Sequence, residues 1–479
     1  MATSKPATMS GKTSRSSLES VEEKQAHTPS DALSYDGHHD DAEGQAPERV
    51  QTRATMREPV EGEAPLEAVM SYQSIPATPS IPNGGLWAWL QVLAGFFMFF
   101  NSWGLINAFG VFQSYYTSTL IPDSSNSNVA WIGSIQAFLT CCTTIFAGPI
   151  FDRGHARPLV FFGSFMVVFG LMMASLGYEY YQLMLAQGIC IGIGAGCIFI
   201  VSVAIIPQYF STKRAFAIGI AAAGSSLGGV IYPIIFHNLQ PQVGYGWATR
   251  IMGFIALATL AVPCAVIRLR VLPPPRKKII DFSGFKELPF TLFCLASFVG
   301  FIGLYVPFFF ISEFSGSARG GLDSNLSFYM LPVLSSGSIV GRLLPSYFAD
   351  FTGPLNVLTI CTVIAGILGF LWIAVEQTLA GIIVWALLYG AFSGAFVSLQ
   401  PSTVVSITDD MSIVGGRLGM NTFCAACGIL IGSPIAGVIV GSGDWVGLQC
   451  FCGGTLLAGS ALVAVTRWSR TGLVLVKKA

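Results

Sequence analysis

The feature that most constrains this chain is a succession of apolar stretches that begins at Leu86 and continues almost to the C-terminal end. A helix needs about 20 apolar residues to cross the hydrocarbon core of a bilayer. Twelve stretches approach that length, at approximately 86–112, 129–150, 158–177, 182–206, 215–237, 249–271, 289–312, 326–348, 355–375, 378–402, 413–440 and 445–467. The pattern predicts an all-α integral membrane protein with twelve transmembrane helices.

Composition supports a lipid environment. Of the residues, 53% are hydrophobic and only 10% are charged, whereas a soluble domain carries about 25% charged residues. The formal net charge is zero and no stretch forms a basic stripe, so we expect the bilayer and not nucleic acid as the main partner.

The cysteines and the glycines carry no sign of a metal site or an enzyme. All eleven cysteines fall within or at the edge of apolar stretches. Cys424 and Cys427 have a C-x-x-C spacing, but no second pair or neighbouring histidine completes a zinc set. Serine-nucleophile and phosphate-binding motifs do not occur in a suitable setting. We therefore predict no metal, no cofactor and no enzymatic activity.

Polarity divides the chain into five segments. Residues 1–82 are rich in Ser, Thr, Pro, Glu and Asp, with too few apolar residues to bury a core, so we predict a disordered cytoplasmic tail. Residues 83–272 and 289–468 are predicted to form two six-helix bundles, joined by a basic, proline-rich cytoplasmic linker at 273–288. Residues 469–479 form a short cytoplasmic C-terminal tail. An Asp followed by Gly and Pro-Leu recurs at Asp152 and Asp350, which indicates that the bundles are repeats.

The distribution of Lys and Arg predicts the orientation. When both termini are cytoplasmic, the outer loops contain only Arg250 and Arg319, and the other loop cations lie inside. This is the bias expected of a membrane protein. We expect a multi-pass protein of the cell membrane, with the vacuolar membrane as the alternative. Asn325 begins an Asn-Leu-Ser sequon on the predicted outer side and is a candidate glycosylation site.

The loop after the second stretch resembles a family motif. Its Gly148, Asp152, Arg153 and Arg157 are similar to the motif between the second and third helices of the major facilitator superfamily, which also consists of parallel six-helix repeats. The resemblance implies that Asp152, Arg153 and Arg157, with Asp350 in the corresponding loop, act in gating. The alternative for the arginines is the inward bias of positive charge alone.

Three further segments narrow the resemblance. Asn83–Trp89 with Gly110–Tyr116, Tyr209–Gly228 and Gly416–Gly437 are similar to signatures of the monocarboxylate porter family in its fungal form. This resemblance covers residues 83 to 468. It implies a solute site between the two bundles and alternating access by rocking of one bundle against the other.

Arg342 is the most informative polar residue, because it lies about two-thirds of the way along the eighth stretch. An arginine in mid-membrane costs about 2.5–3.5 kcal/mol on insertion scales, so it needs a cavity or a partner. The family resemblance implies that it binds the substrate carboxylate, for which a planar guanidinium is well suited. The alternatives are that it extends to the cytoplasmic interface or pairs with Asp350.

Other polar and aromatic side chains are candidates for the same cavity. A buried amide needs a hydrogen-bond partner, and either a solute or a neighbouring helix can supply it. The predicted substrate-binding residues besides Arg342 are Asn101, Asn107, Gln136, Tyr305, Phe396 and Asn421.

Proton coupling does not follow from the resemblance. Animal members of the family have a lysine and an aspartate where this chain has Asn107 and Ser338. Coupling through His237, Glu313 or Glu376 and uncoupled diffusion are both left open.

We therefore predict a transporter for a small organic solute, in the first place a monocarboxylate-like anion, with or without an accessory membrane protein. Export of a fungal secondary metabolite is the first alternative. A nutrient sensor that has the same fold but does not transport is the second.

Overall fold

A computed structural model of the chain describes residues 83–270, 282–317, 323–375, 378–408 and 414–472. The chain divides into a unit Met1–Thr78 and a unit Pro79–Ala479, and the description below concerns the second. The predicted tail 1–82 and most of the predicted linker and C-terminal tail fall outside the described residues, so those predictions are not tested.

The described residues are helical and contain no strand, which confirms the predicted all-α class. We divide them into twelve segments, cutting one continuous run at Gly244: α1 Leu86–Leu120, α2 Asn126–Asp152, α3 Ala156–Ala174, α4 Tyr180–Gln208, α5 214–243, α6 245–266, α7 Leu288–Gly316, α8 Ser324–Thr352, α9 Pro354–Val375, α10 Leu379–Ile407, α11 Val414–Gly441 and α12 Trp445–Thr471.

Ten helices in the described part of the chain are long and apolar enough to cross a membrane. One of them is the 53-residue run Arg214–Val266, which has non-helical backbone at Gly244 (φ 78°, ψ 167°) and therefore consists of two helices. The polar helix α8 is not among the ten. A membrane protein of multiple helical spans is thus established, and the count of twelve crossings remains a prediction.

The helices α1 and α7 are both broken near their middle. The backbone of α1 leaves helical geometry at Ser102 (φ −99°, ψ −84°), and that of α7 is interrupted at Tyr305, before Pro307. A break leaves backbone groups without their usual helical partners, which in a membrane is tolerated only inside protein or beside a cavity. The breaks therefore mark the interior of the bundle.

Glycines allow α8 and α10 to approach each other closely. A Cβ atom at Gly341 would clash with the carbonyl oxygen of Ala391, and a Cβ atom at Gly390 would clash with that of Leu334. Small residues at helix contacts are the common means of packing in membranes, where burial of apolar surface from water does not drive association. Because backbone atoms form these contacts, neither side can move aside as a flexible side chain would.

We expect Gly341→Leu to lower the free energy of unfolding by about 1–3 kcal/mol, the usual cost of overpacking. Thermal unfolding of the purified protein in detergent measures the change. The matched control is Gly454→Leu on α12, where an added Cβ meets nothing within 4 Å. Equal melting temperatures for the two variants would show that the contact with α10 does not limit stability.

Candidate functional site

The two ends of the helical bundle differ in charge. One end carries Arg153, Lys213 and Arg268, and we call it the basic face. The other end, the opposite face, carries Asn126 and Glu313, whose side chains are hydrogen-bonded at 2.8 Å. The basic face is the one that the distribution of cations predicts to be cytoplasmic.

A large cavity extends inward from the basic face. Its volume is about 960 Å³, and we call it the vestibule. Its walls come mainly from α2, α4, α5, α10 and α11, and two arginines, Arg153 and Arg214, are among its few charged side chains. The remaining lining is mainly apolar, with Ile145, Phe146, Ile200, Val203, Val405 and Phe423 as examples.

A smaller cavity of about 60 Å³ lies deeper in the bundle, and we call it the chamber. It is continuous with the vestibule, because Phe199, Val203, Ile218, Pro401 and Thr422 line both. Its polar side chains include Arg342, Ser398, Gln400, Asn421 and Thr422. Of the predicted binding residues, Arg342 and Asn421 are therefore together in the chamber wall.

The guanidinium of Arg342 is buried, with 2% of the side chain exposed. Its Nε donates a hydrogen bond to Ser338 Oγ at 3.3 Å, and its Nη1 donates one to the carbonyl oxygen of Ala222 at 3.4 Å. Both partners are neutral and both bonds are long compared with charge-assisted bonds of about 2.7–2.9 Å. The charge therefore lies in the protein interior, available to an anion that enters the chamber.

Three polar side chains of α7, α10 and α11 form a cluster beside Arg342. Ser297 Oγ lies 2.9 Å from Gln400 Oε1 and 2.8 Å from Asn421 Oδ1, and Asn421 Nδ2 donates to Gln400 Oε1 at 2.9 Å. Gln400 Nε2 is buried and has no hydrogen-bond partner among the described residues. The cluster thus offers a neutral donor in the same wall as the guanidinium.

Stacked aromatic rings close the chamber toward the opposite face. Trp103 and Tyr305, at the breaks of α1 and α7, stack at 5.9 Å with an interplanar angle of 18°. Phe309 of α7 contacts Phe109 of α1 at 5.2 Å between ring centroids. The hydroxyl of Tyr305 is buried without a hydrogen-bond partner in the described part of the chain. The predicted binding residue Tyr305 thus lies behind Trp103, which lines the chamber.

The other predicted binding residues do not line the chamber. Phe396 packs edge-on against Phe301, a chamber residue, at 5.2 Å. Asn101 joins helices: its Oδ1 accepts from the Tyr232 hydroxyl at 2.6 Å and its Nδ2 donates to Thr259 Oγ1 at 2.8 Å.

Asn107 and Gln136 are also outside the chamber lining. Asn107 Nδ2 donates to the carbonyl oxygen of Ser225 at 3.2 Å, and its Oδ1 has no partner among the described residues. Gln136 is fully buried, and neither of its amide atoms has a hydrogen-bond partner among the residues that the structure describes. A binding role for these two amides remains a prediction.

The predicted gating residues take different positions at the basic face. Asp152 is the last residue of α2, and Arg153 lines the vestibule. Arg157 Nε donates to the carbonyl oxygen of Ile267 at 3.2 Å, at the C-terminal end of α6, where a cation is favourable. Asp350 Oδ2 accepts from the backbone N–H of Phe216 at 3.3 Å, in the first turn of α5.

The predicted glycosylation site, Asn325, is in the first turn of α8. Its side chain lies outside the described residues, so glycosylation remains a prediction.

A contact between two of the quoted signatures was not foreseen. Asn83 Oδ1 accepts hydrogen bonds from the Ser211 N–H at 2.7 Å, the Ser211 hydroxyl at 2.9 Å and the Thr212 N–H at 3.1 Å. Asn83 has a positive φ of 52°, which Asn tolerates better than most residues. We call this set of bonds the Asn83 clamp; it joins the start of α1 to the loop before α5.

Known proteins share the sequence features of this helical bundle. Residues 91–350 match the family model of the Major Facilitator Superfamily. The chain belongs to this superfamily. It is 45% identical to the "MFS-type transporter dbaD" of Emericella nidulans over 80% of this chain and 86% of the relative. It is 38% identical to the "Agnestins efflux protein AgnL12" of Paecilomyces divaricatus over 83% and 91% of the two chains.

The fold agrees with that of a solved transporter. The structure of the nucleoside transporter NupG matches with a TM-score of 0.61 over 79% of this chain and 99% of the other, at 13% identity. This likeness concerns the fold alone. The superfamily match and the relatives show that the chain is a membrane transporter and not an enzyme.

We expect Asp350→Ala to destabilise the protein by about 0.3–2 kcal/mol, because a carboxylate at the first turn of α5 is lost. Asp350→Asn should have an intermediate effect, since it loses the charge but retains an acceptor oxygen. Thermal unfolding in detergent measures both. Asp123→Ala, at an exposed loop position, is the control, and an equal effect at both positions would contradict the proposed contact.

Proposed function

We propose that this transporter exports an amphipathic organic anion of the size of a fungal secondary metabolite. The observation that carries the proposal is a buried, permanently charged guanidinium at the inner end of a large apolar vestibule. Pockets for drug-sized ligands have volumes of about 300–1,000 Å³, and the vestibule is within that range. The chemistry favours a ligand with one anionic group and a sizeable apolar body.

The size of the vestibule favours a larger organic anion over a small monocarboxylate. A small monocarboxylate would occupy only a small part of a vestibule of about 960 Å³. A larger acid would place its acidic group in the chamber and its carbon skeleton against Ile200, Val203 and Phe423. The relative from Paecilomyces divaricatus is named as an efflux protein for agnestins, which supports the same choice. The proposed ligand thus has the anionic group of a monocarboxylate but is larger than a small monocarboxylate.

The binding steps follow from the contacts in the chamber. A carboxylate or enolate would displace the long bonds of Arg342 and accept two parallel N–H bonds from the guanidinium. Gln400 Nε2 would donate a further bond. The Trp103–Tyr305 stack separates the chamber from the opposite face until the two bundles rock and the rings move apart. Neutralisation of the buried charge by the ligand would favour the state in which the anion is bound.

The charge of the two faces supports the proposed direction of transport. Because the basic face is predicted to be cytoplasmic, the vestibule would take up its ligand from inside the cell. An exporter of this kind belongs in the cell membrane, with the vacuolar membrane as the alternative. Asn107 and Ser338 carry no titratable group. Transport is therefore driven either by protons that bind another titratable side chain or by the solute gradient itself. Transport measured with and without a pH gradient distinguishes the two.

We expect Arg342→Ala to reduce efflux of the organic anion more than tenfold, because the guanidinium would no longer compensate the ligand charge in the chamber. Arg342→Lys should retain part of the flux, since it keeps the charge but loses the planar fork. The measurement is efflux of radiolabelled organic acids from preloaded proteoliposomes. A neutral ester of a transported acid should be a poor ligand of the unmodified protein.

The matched control is Arg250→Ala, which removes an arginine at the opposite face, where its guanidinium lies over the Trp247 ring. Melting temperatures of all variants show whether they are folded. Undiminished efflux by a folded Arg342→Ala variant would contradict the assignment of the anion site.

A further inference from the structure

The two seams where the first six helices meet the last six differ from each other. The seam between α5 and α8 is closed as far as the basic face. A Cβ atom at Gly219 would contact the carbonyl oxygen of Arg342 at 2.7 Å. Closer to the basic face, Phe216 and Tyr347 are in edge contact at 6.0 Å, and Asp350 accepts the Phe216 N–H.

The seam between α2 and α11 is closed over only part of its length. Near the opposite face, Ser127 Oγ donates to the carbonyl oxygen of Pro434 at 3.1 Å. In the middle, the rings of Phe138 and Phe423 are in contact at 6.4 Å. Beyond this point α11 is uncrowded, because a Cβ atom at Gly416 or Gly419 would meet nothing within 4 Å.

Apolar side chains at this gap line the vestibule and are exposed. Phe146 of α2 lines the vestibule and is 73% exposed, and Phe423 of α11 lines it and is 42% exposed. Ile150, one turn after Phe146, also lines the vestibule and is exposed. Apolar residues of both helices therefore flank the gap between α2 and α11 next to the vestibule.

The distance of this gap from the helix ends matches the depth of the hydrocarbon layer. Phe146 is six residues before Asp152, the end of α2, which is about 9 Å along a helix. Phe423 is nine residues after Val414, the start of α11, or about 13 Å. Half of a bilayer core is about 15 Å thick. Measured from these helix ends, both rings fall within the thickness of one leaflet's hydrocarbon layer.

We propose that amphipathic anions enter the vestibule sideways from the cytoplasmic leaflet, through a portal between α2 and α11 bounded by Phe146, Ile150, Gly416, Gly419 and Phe423. The proposal deepens the export function and rests on it for the chemistry of the solute. An apolar body would move from acyl chains into an apolar vestibule without first entering water, which avoids a cost of about 25 cal/mol per Å² of apolar surface. The anionic group would remain at headgroup level, near Arg153 and Arg214, until it reaches Arg342.

The first test asks whether the vestibule is open to the bilayer, and it needs no solute. The photoreactive residue benzoylphenylalanine is placed at Phe199, which lines both cavities, in the full chain reconstituted in phosphatidylcholine bilayers. Irradiation and mass spectrometry should detect phospholipid adducts at this position. Gly419→Trp should reduce their yield at least fivefold by filling the gap, whereas Gly454→Trp, at an equally uncrowded glycine on α12, should not.

The second test asks whether solutes use the opening. Butanesulfonate and dodecanesulfonate have the same permanent charge but differ in their partition into membranes. We expect Gly419→Trp to lower the flux of dodecanesulfonate from proteoliposomes at least tenfold and that of butanesulfonate less than twofold. Gly454→Trp should alter neither flux.

The outcomes separate the portal from the proposed function. Absence of lipid adducts at position 199, or an equal loss of both sulfonate fluxes in Gly419→Trp, would overturn the portal in favour of an aqueous route from the basic face. Adducts that Gly419→Trp removes, in a protein that carries neither sulfonate and no organic acid, would support the portal and overturn the export function.

Discussion

The candidate site depends on the burial of the Arg342 guanidinium among neutral groups. A guanidinium in the interior of a membrane protein loses its hydration, and among the described residues Arg342 recovers two long bonds, to a hydroxyl and to a backbone carbonyl. An ion pair would stabilise the charge more strongly but would also compete with an incoming anion. The weak compensation therefore keeps the residue ready for a ligand, and the Ser338 hydroxyl orients it without neutralising it.

The two interrupted helices give the site its shape. Because α1 and α7 are the first helices of the two predicted repeats, their breaks at Ser102 and Tyr305 occupy comparable places and face each other. The Trp103–Tyr305 stack forms where both backbones depart from the helix. A boundary made of two flat rings can separate without breaking a hydrogen bond, which suits a closure that must open in each transport cycle.

Much of the fold and part of the site follow from the sequence. Long apolar stretches indicate helices because backbone N–H and C=O groups inside a bilayer must form their hydrogen bonds within the protein. The cost of burying a charge in mid-membrane indicates Arg342 as a candidate. Asn421 was predicted because a buried amide needs a hydrogen-bond partner. Asn101 shows the limit of this reasoning: a buried amide needs a partner, but the sequence does not say whether that partner is a solute or, as here, Tyr232 and Thr259 on neighbouring helices. Ring contacts such as Trp103 with Tyr305 join positions about 200 residues apart, and no local pattern predicts them.

The Asn83 clamp has a mechanical consequence. One side-chain oxygen joins the beginning of the membrane region to the Ser211–Thr212 loop, and the helix that follows this loop is held by Asp350 from the other bundle. Tension applied to the chain ahead of residue 83 would thus act on the α5–α8 seam through two successive links. The point at which the polypeptide enters the bilayer is in this way part of the machinery that keeps that seam shut.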